Sequence, residues 1–255
     1  MYGVKHILSF DCADKTLGVC LVSYIPSNII NEHCSIIQNE ENFTAKIQQI
    51  TQLINNILTV KSIWLFDLVP GLIVRETEDS VRLSRLKFAL KSIRKVIDSA
   101  NIQIDKIIVE YQMGQNDLSR LISSAILYEF VDIDPNINLT IGYLKNESLK
   151  NIHDEKKDNN QNVPSNSCIS IGPAFKNSIQ FDNSLSYGTF AAKFKTSHTA
   201  NKHHTAENFK FYLNLQSLNN PHYKFNIKAN HSEINHIADA FMQAVYWIIT
   251  NLNVE

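Results

Sequence analysis

"SFDCADKTLGVCLVSY", residues 9–24, places an acid inside what otherwise reads as an apolar hairpin. Ile7, Leu8 and Phe10 lead in, and Val19, Cys20, Leu21 and Val22 lead out, around a polar turn from Asp14 to Thr16. Apolar, β-branched runs separated by turn formers predict two antiparallel strands, over 6–13 and 17–25. Asp14 sits in the turn beside Lys15, where a carboxylate is solvated. Asp11 sits in the strand, where an ionised carboxylate is costly unless it is paired or bound to a cation.

Working outward, residues 26–44 open with turn formers and hold a possible strand around Cys34–Gln38. Ile47, Ile50, Leu53, Ile54 and Ile57 then recur at helical spacing, which predicts an amphipathic helix from Thr44 to Leu58. "SIWLFDLVPG" reads as a buried strand closed by a Pro-Gly turn. The spacing of Leu83, Leu86, Leu90, Ile93 and Ile97 predicts a helix over 79–99, with Arg82, Arg85, Lys91, Arg94 and Lys95 on its solvated face. "DKIIVEYQ" is a short strand ending on Glu110, and "DLSRLISSAILYEFV" is a helix. Residues 132–165 are largely polar and read as a loop or insertion. "CISIGPAFK" restores a strand, and a polar Lys/His-rich stretch, "AAKFKTSHTANKHH", leads into a helix at "TAENFKFYLNLQS". The last helix, "SEINHIADAFMQAVYWIITNL", has Ser232 as N-cap and an apolar stripe through Ile237, Phe241, Ala244 and Ile248. Strands in front and helices alternating with later strands predict an α/β fold on one mixed sheet.

The 255 residues, 44% hydrophobic and 19% charged, belong to the ordinary globular class. No apolar run is long enough for a bilayer and no secretory leader is evident, so the expected location is inside the cell, with no membrane partner. The four cysteines, Cys12, Cys20, Cys34 and Cys168, lack CxxC spacing, which argues for reduced, structural thiols. With a net charge of -1, any nucleic-acid surface has to be a local patch. Only seven glycines are present, without GxGxxG or GxxxxGK[ST], which argues against a dinucleotide or P-loop site.

Asp11 has company. Glu110 ends a strand, and Asp239 lies within "HIADAFMQAVYW", on a helix whose neighbouring positions are apolar. His236 precedes Asp239 by three residues and shares its side of the helix. No Lys or Arg lies within one turn of Asp239. A hard divalent cation such as Mg²⁺ or Mn²⁺, which takes oxygen ligands, is the economical partner for such acids.

"ILSFDCADKTLGVCLVSY", "KIIVEYQ" and "HIADAFMQAVYW", in that order, resemble the RuvC-type Holliday junction resolvases of the RNase H-like superfamily, especially the poxvirus-type enzymes of large DNA viruses. The resemblance implies an α/β RNase H-like fold in one nuclease domain over 1–255, its mixed central sheet, the first three strands antiparallel, flanked by helices. Residues 26–60 and 132–165 then read as insertions. It implies a metal site of Asp11, Glu110, His236 and Asp239. His236 stands where many relatives have Asp, and Glu233 is the alternative for completing the site. The segment from "SIGPAFKNS" into "NKHHTAENFKFYL" is similar to the family's basic segment, which makes Lys202 the leading candidate for a catalytic or phosphate contact and Lys176 a second.

What the resemblance implies chemically is a two-metal phosphodiester hydrolysis, with Mg²⁺ as cofactor, Mn²⁺ able to substitute, and ions about 3.5–4 Å apart. Asp11 would bridge them, Glu110 and Asp239 would each hold one, and His236 would ligate or carry a proton. The substrate implied is four-way or branched DNA, nicked twice by a homodimer during recombination or viral genome processing, in the cytoplasm or nucleus of an infected cell if the chain is viral. Lys176, Lys193, Lys195, Lys202, His203, His204 and Lys210 would contact DNA, as would part of the 79–99 helix face. The alternatives are another RNase H-like nuclease acting on RNA–DNA hybrid or branched flaps, a non-catalytic DNA-binding member of the fold, and an actin/Hsp70-type ATPase or kinase, whose opening phosphate hairpin is also similar to "FDCADKTLGVCLV".

Overall fold

In the computed structural model, residues 3–26, 54, 57–71, 77–109, 117–131, 141–142, 168–169, 179–182, 184–220 and 231–251 are described. The opening hairpin forms as its sequence dictates: β1 (Lys5–Cys12) pairs antiparallel with β2 (Thr16–Tyr24). The turn is closed by the Ala13 amide donating to the Thr16 carbonyl at 3.0 Å. β3 (Thr59–Asp67) pairs antiparallel with β2, and β4 (Lys106–Val109) pairs parallel with β1, giving a four-stranded mixed sheet in the order β3-β2-β1-β4. β1 and β2 are central and buried nearly throughout, which is why apolar residues fall on both of their faces rather than alternating, with Ser9 and Asp11 as the polar exceptions in the buried part of β1.

Helices cover both faces of this sheet. α1 (Asp79–Ser99) and α2 (Asp117–Val131) pack on one side, where Leu86, Leu90, Ile93, Ile122 and Phe130 meet Leu8, Phe10, Leu17 and Leu21. On the other side lie α4 (Ser197–Asn219) and α5 (His231–Asn251), preceded by the short α3 (Tyr187–Lys193). There Phe209, Tyr212, Ile237, Phe241, Ala244 and Ile248 meet Ile7, Cys20 and Val22. No helix among the described residues is long and apolar enough to cross a membrane.

Five expectations are corrected. β3 is a half-buried strand, not a buried one, and among the described residues it has a strand neighbour on one side only. Its buried start is held by α4: the Gln216 side chain accepts from the Val60 amide at 2.8 Å and donates to the Val60 carbonyl at 2.9 Å. β6 (Cys168–Ile169), at the start of "CISIGPAFK", pairs among the described residues with β5 (Ile141–Gly142), in a two-stranded parallel sheet rather than in the four-stranded one. Arg82 is buried rather than solvated, its guanidinium donating to the Thr77 carbonyl at 2.7 Å and to Asp79 at 3.0 Å. The helix expected from Thr205 begins earlier: Thr196 caps α4 by accepting from the Thr199 amide, so "NKHH" falls in the helix. Ser232 lies one residue inside α5 rather than at its cap.

The Pro-Gly turn after β3 ends on Gly71 at φ 68, a conformation that favours glycine. Cys12 and Cys20 are buried, and burial pushes the Cys20 thiol up. The strand expected at Cys34–Gln38 and nearly all of the helix expected at Thr44–Leu58 lie outside the described residues, as do most of the stretches 26–60 and 132–165 read as insertions.

Candidate active site

Alternation along β1 sends Ile7, Ser9 and Asp11 to the face that α5 covers, while Leu8, Phe10 and Cys12 face α1 and α2. Along that inner row the chemistry steps from apolar to polar to charged. The Ser9 hydroxyl donates to Oε1 of Gln243 at 3.4 Å, and Asp11 Oδ2 meets Nδ1 of His236 at 2.6 Å. As β1 advances from Ser9 to Asp11, α5 steps back two turns from Gln243 to His236, so strand and helix run in opposite directions. The first strand and the last helix, 225 residues apart in sequence, thus close on one carboxylate–imidazole contact.

Asp11 is 5% exposed, so this contact is shielded from water on most sides. Bonding through Nδ1 selects the imidazole tautomer: in the neutral ring Nδ1 carries the proton given to Asp11, and Nε2 is the acceptor. An aspartate has two oxygens and about four lone-pair sites, so accepting from His236 through Oδ2 leaves capacity for other donors or a cation.

Gly18 is a component that the sequence did not single out. It is the register partner of Asp11 on β2, and a Cβ built on it would collide with the backbone carbonyl group of His236 and lie 2.8 Å from its Cβ. The absent side chain is what lets α5 approach the sheet closely enough for His236 to reach Asp11. The available signal was a glycine inside an apolar, β-branched strand, which marks a bulge or a close backbone approach.

The other expected residues are placed as follows. Asp239 is half-buried, three residues past His236 on α5, and Glu233 is half-buried three residues before it. Among the described residues no three His, Cys, Asp or Glu side chains come together closely enough to hold a metal ion. Glu110 lies outside the described residues; β4 is described to Val109, whose register partner is Phe10, the residue before Asp11. Lys176 also lies outside them.

Of the basic stretch, Lys193 and Lys195 are exposed and Lys202 is half-buried. His203 stacks on Phe194, with ring centroids 4.1 Å apart at 16°. Lys210 pairs with Glu207 at 2.7 Å, which offsets its charge locally. His204 is fully buried between Tyr187 and Phe190, with ring centroids at 5.6 and 5.4 Å, and cannot reach a phosphate. Burial lowers its pKa to about 4, so it is neutral near pH 7 and is a core residue joining α3 to α4. It is removed from the DNA-contact set. No family model, curated protein or solved structure matches the chain.

Proposed function

We propose that this chain is a metal-dependent, structure-specific endonuclease of RNase H-like fold that resolves four-way DNA junctions as a homodimer. The observation that carries this is the contact between a buried first-strand aspartate and a last-helix histidine, made across a glycine opposite that aspartate. The four-stranded mixed sheet with helices on both faces supports it. So does chain order: Glu110 is the next residue in sequence after Val109, where the described part of β4 ends, and Val109 is paired with Phe10, the neighbour of Asp11.

The donor chemistry of Asp11, Glu110 and Asp239 fits Mg²⁺ or Mn²⁺, which take carboxylate oxygens. Imidazole suits Mg²⁺ less well, which favours His236 as the group that holds a proton rather than as a ligand. When bound, the cations would neutralise charge on the phosphoryl group. Asp11 orients His236 through Nδ1, so that Nε2 is the atom able to take a proton from water or return one to a leaving oxygen. Lys193, Lys195 and Lys202 would hold the DNA backbone, a role that gives position without sequence information. Cutting two strands of like polarity requires two sites related by a two-fold axis, which a homodimer supplies.

The second reading is a non-catalytic DNA-binding member of the fold, in which the Asp11–His236 bond serves to hold the last helix against β1. Purified protein is incubated with labelled four-way junction, linear duplex and RNA–DNA hybrid in Mg²⁺, Mn²⁺ or EDTA. Paired symmetric nicks in the junction alone, abolished by EDTA, are expected. Junction binding without cleavage in either metal identifies the non-catalytic member, and cleavage of the hybrid instead identifies a different nuclease of the fold.

A further inference from the structure

The surface of α1 that faces away from the sheet carries a feature the fold does not use. Phe88 is 73% exposed, at the apex of the helix opposite the buried Leu86, Ala89, Leu90 and Ile93. Lys91 and Lys95 follow it at i+3 and i+7, on the same stripe, and Lys87 flanks it; all three are exposed. Among the described residues none of these lysines is within ion-pair distance of an acid, in contrast to Arg94, which lies 3.9 Å from Glu129 of α2. That contact holds α2 alongside, and on its outer side Tyr128 is also 73% exposed. A cleft of about 620 Å³ between the helices is lined by Lys91, Arg94, Lys95, Asp98, Ser99 and Glu129.

We propose that this face binds single-stranded nucleic acid, with Phe88 stacking on an unpaired base and Lys87, Lys91 and Lys95 holding the flanking phosphates. An aromatic ring set among cationic side chains is the combination such strands require, because every base has a π-face and every linkage a charge. Lysines one turn apart on a helix are spaced about 6 Å along its axis, and so follow an extended backbone rather than one point charge. A second copy of the chain is disfavoured, since a two-fold axis through this face would set the lysines against their own counterparts. The face lies on the opposite side of the sheet from Asp11 and His236, so binding here does not depend on the proposed cleavage.

The test measures binding of a short labelled oligothymidine to the full chain by fluorescence anisotropy, with a duplex of equal length and polyglutamate as comparisons. Phe88→Ala is expected to weaken single-strand binding about tenfold, and Phe88→Trp to preserve it. Lys87→Glu, Lys91→Glu and Lys95→Glu combined are expected to reduce the slope of log affinity against log salt by about 2. Asp11→Asn is expected to bind the strand as tightly as the parent protein, whether or not the junction is cleaved. Unchanged affinity in both Phe88→Ala and the triple variant overturns the proposal. So does polyglutamate displacing the oligonucleotide at equal charge, or duplex binding as tight as single-strand binding, since either leaves the ring without a role.

Discussion

Gly18 faces Asp11 across the β1–β2 ladder, and the space where its side chain would stand is taken by the backbone of His236. The Asp11–His236 contact is therefore set by a residue with no functional group. Gly18→Ala drives a methyl group into the carbonyl of a packed helix that cannot move without disturbing Ile237 and Phe241 beneath it. The expected cost is about 1–3 kcal/mol, the usual range for overpacking, read as a lower midpoint of urea unfolding. Gly188→Ala is the control: its nearest neighbour is Ser186 Oγ at 3.9 Å and it lies in α3, so it should leave stability unchanged or slightly raised. Equal stability of the two variants would show that His236 does not press on β2.

His204 makes the fold sensitive to acid. Burial holds its pKa at about 4 when folded, against an ordinary value of 6.5, so the unfolded chain takes up a proton first as pH falls. Its neutral packing carries no pH penalty above about pH 6.5. Stability then declines as pH falls from there toward 4, where the folded form also protonates and the loss levels off. The full effect is on the order of 3 kcal/mol. His204→Phe keeps an aromatic ring between Tyr187 and Phe190 and should flatten this part of the stability–pH curve. An unchanged curve would mean that His204 is not buried in solution.

The start of β3 depends on α4. Gln216 supplies both an acceptor and a donor to Val60, as a neighbouring strand would, and the Tyr212 hydroxyl donates to the Leu58 carbonyl at 2.5 Å. Gln216→Leu leaves the Val60 amide and carbonyl buried without these bonds, at an expected cost of about 2–3 kcal/mol. Amide hydrogen exchange at Val60 should accelerate by at least tenfold. Unaltered exchange there would show that the strand edge is protected by something other than this side chain.

The elements read most directly from the sequence are those whose burial is carried by apolar residues alone. β1 and β2 are dominated by apolar residues on both faces, and the stripe through Ile237, Phe241, Ala244 and Ile248 of α5 is buried throughout. α4 was legible only from Thr205 onward, because its buried face includes His204, Thr205, Asn208 and Gln216. Two of those polar groups are buried for a specific reason, Asn208 accepting from the Phe181 amide at 3.0 Å and Gln216 bonding Val60, and no hydrophobic period reveals that. Arg82 misled in the same way: a charge in an amphipathic helix reads as solvent-facing, yet this one is neutralised in place by Asp79. At the site, the acid in β1 and its HxxD counterpart in α5 were visible as breaks in apolar patterns. Their meeting point was not, since it depends on a register partner, Gly18, that only pairing of the strands identifies.

Junction cleavage and binding by Asp11→Asn in Mg²⁺ test most directly whether the Asp11–His236 pair is a nuclease centre. Asparagine keeps the size of the side chain and an oxygen to accept from His236, but removes the charge that a cation requires. The expected result is cleavage reduced by at least about a thousandfold, the scale of losing a principal electrostatic group, with junction affinity within a few-fold of the parent. Cleavage at the parental rate would contradict it.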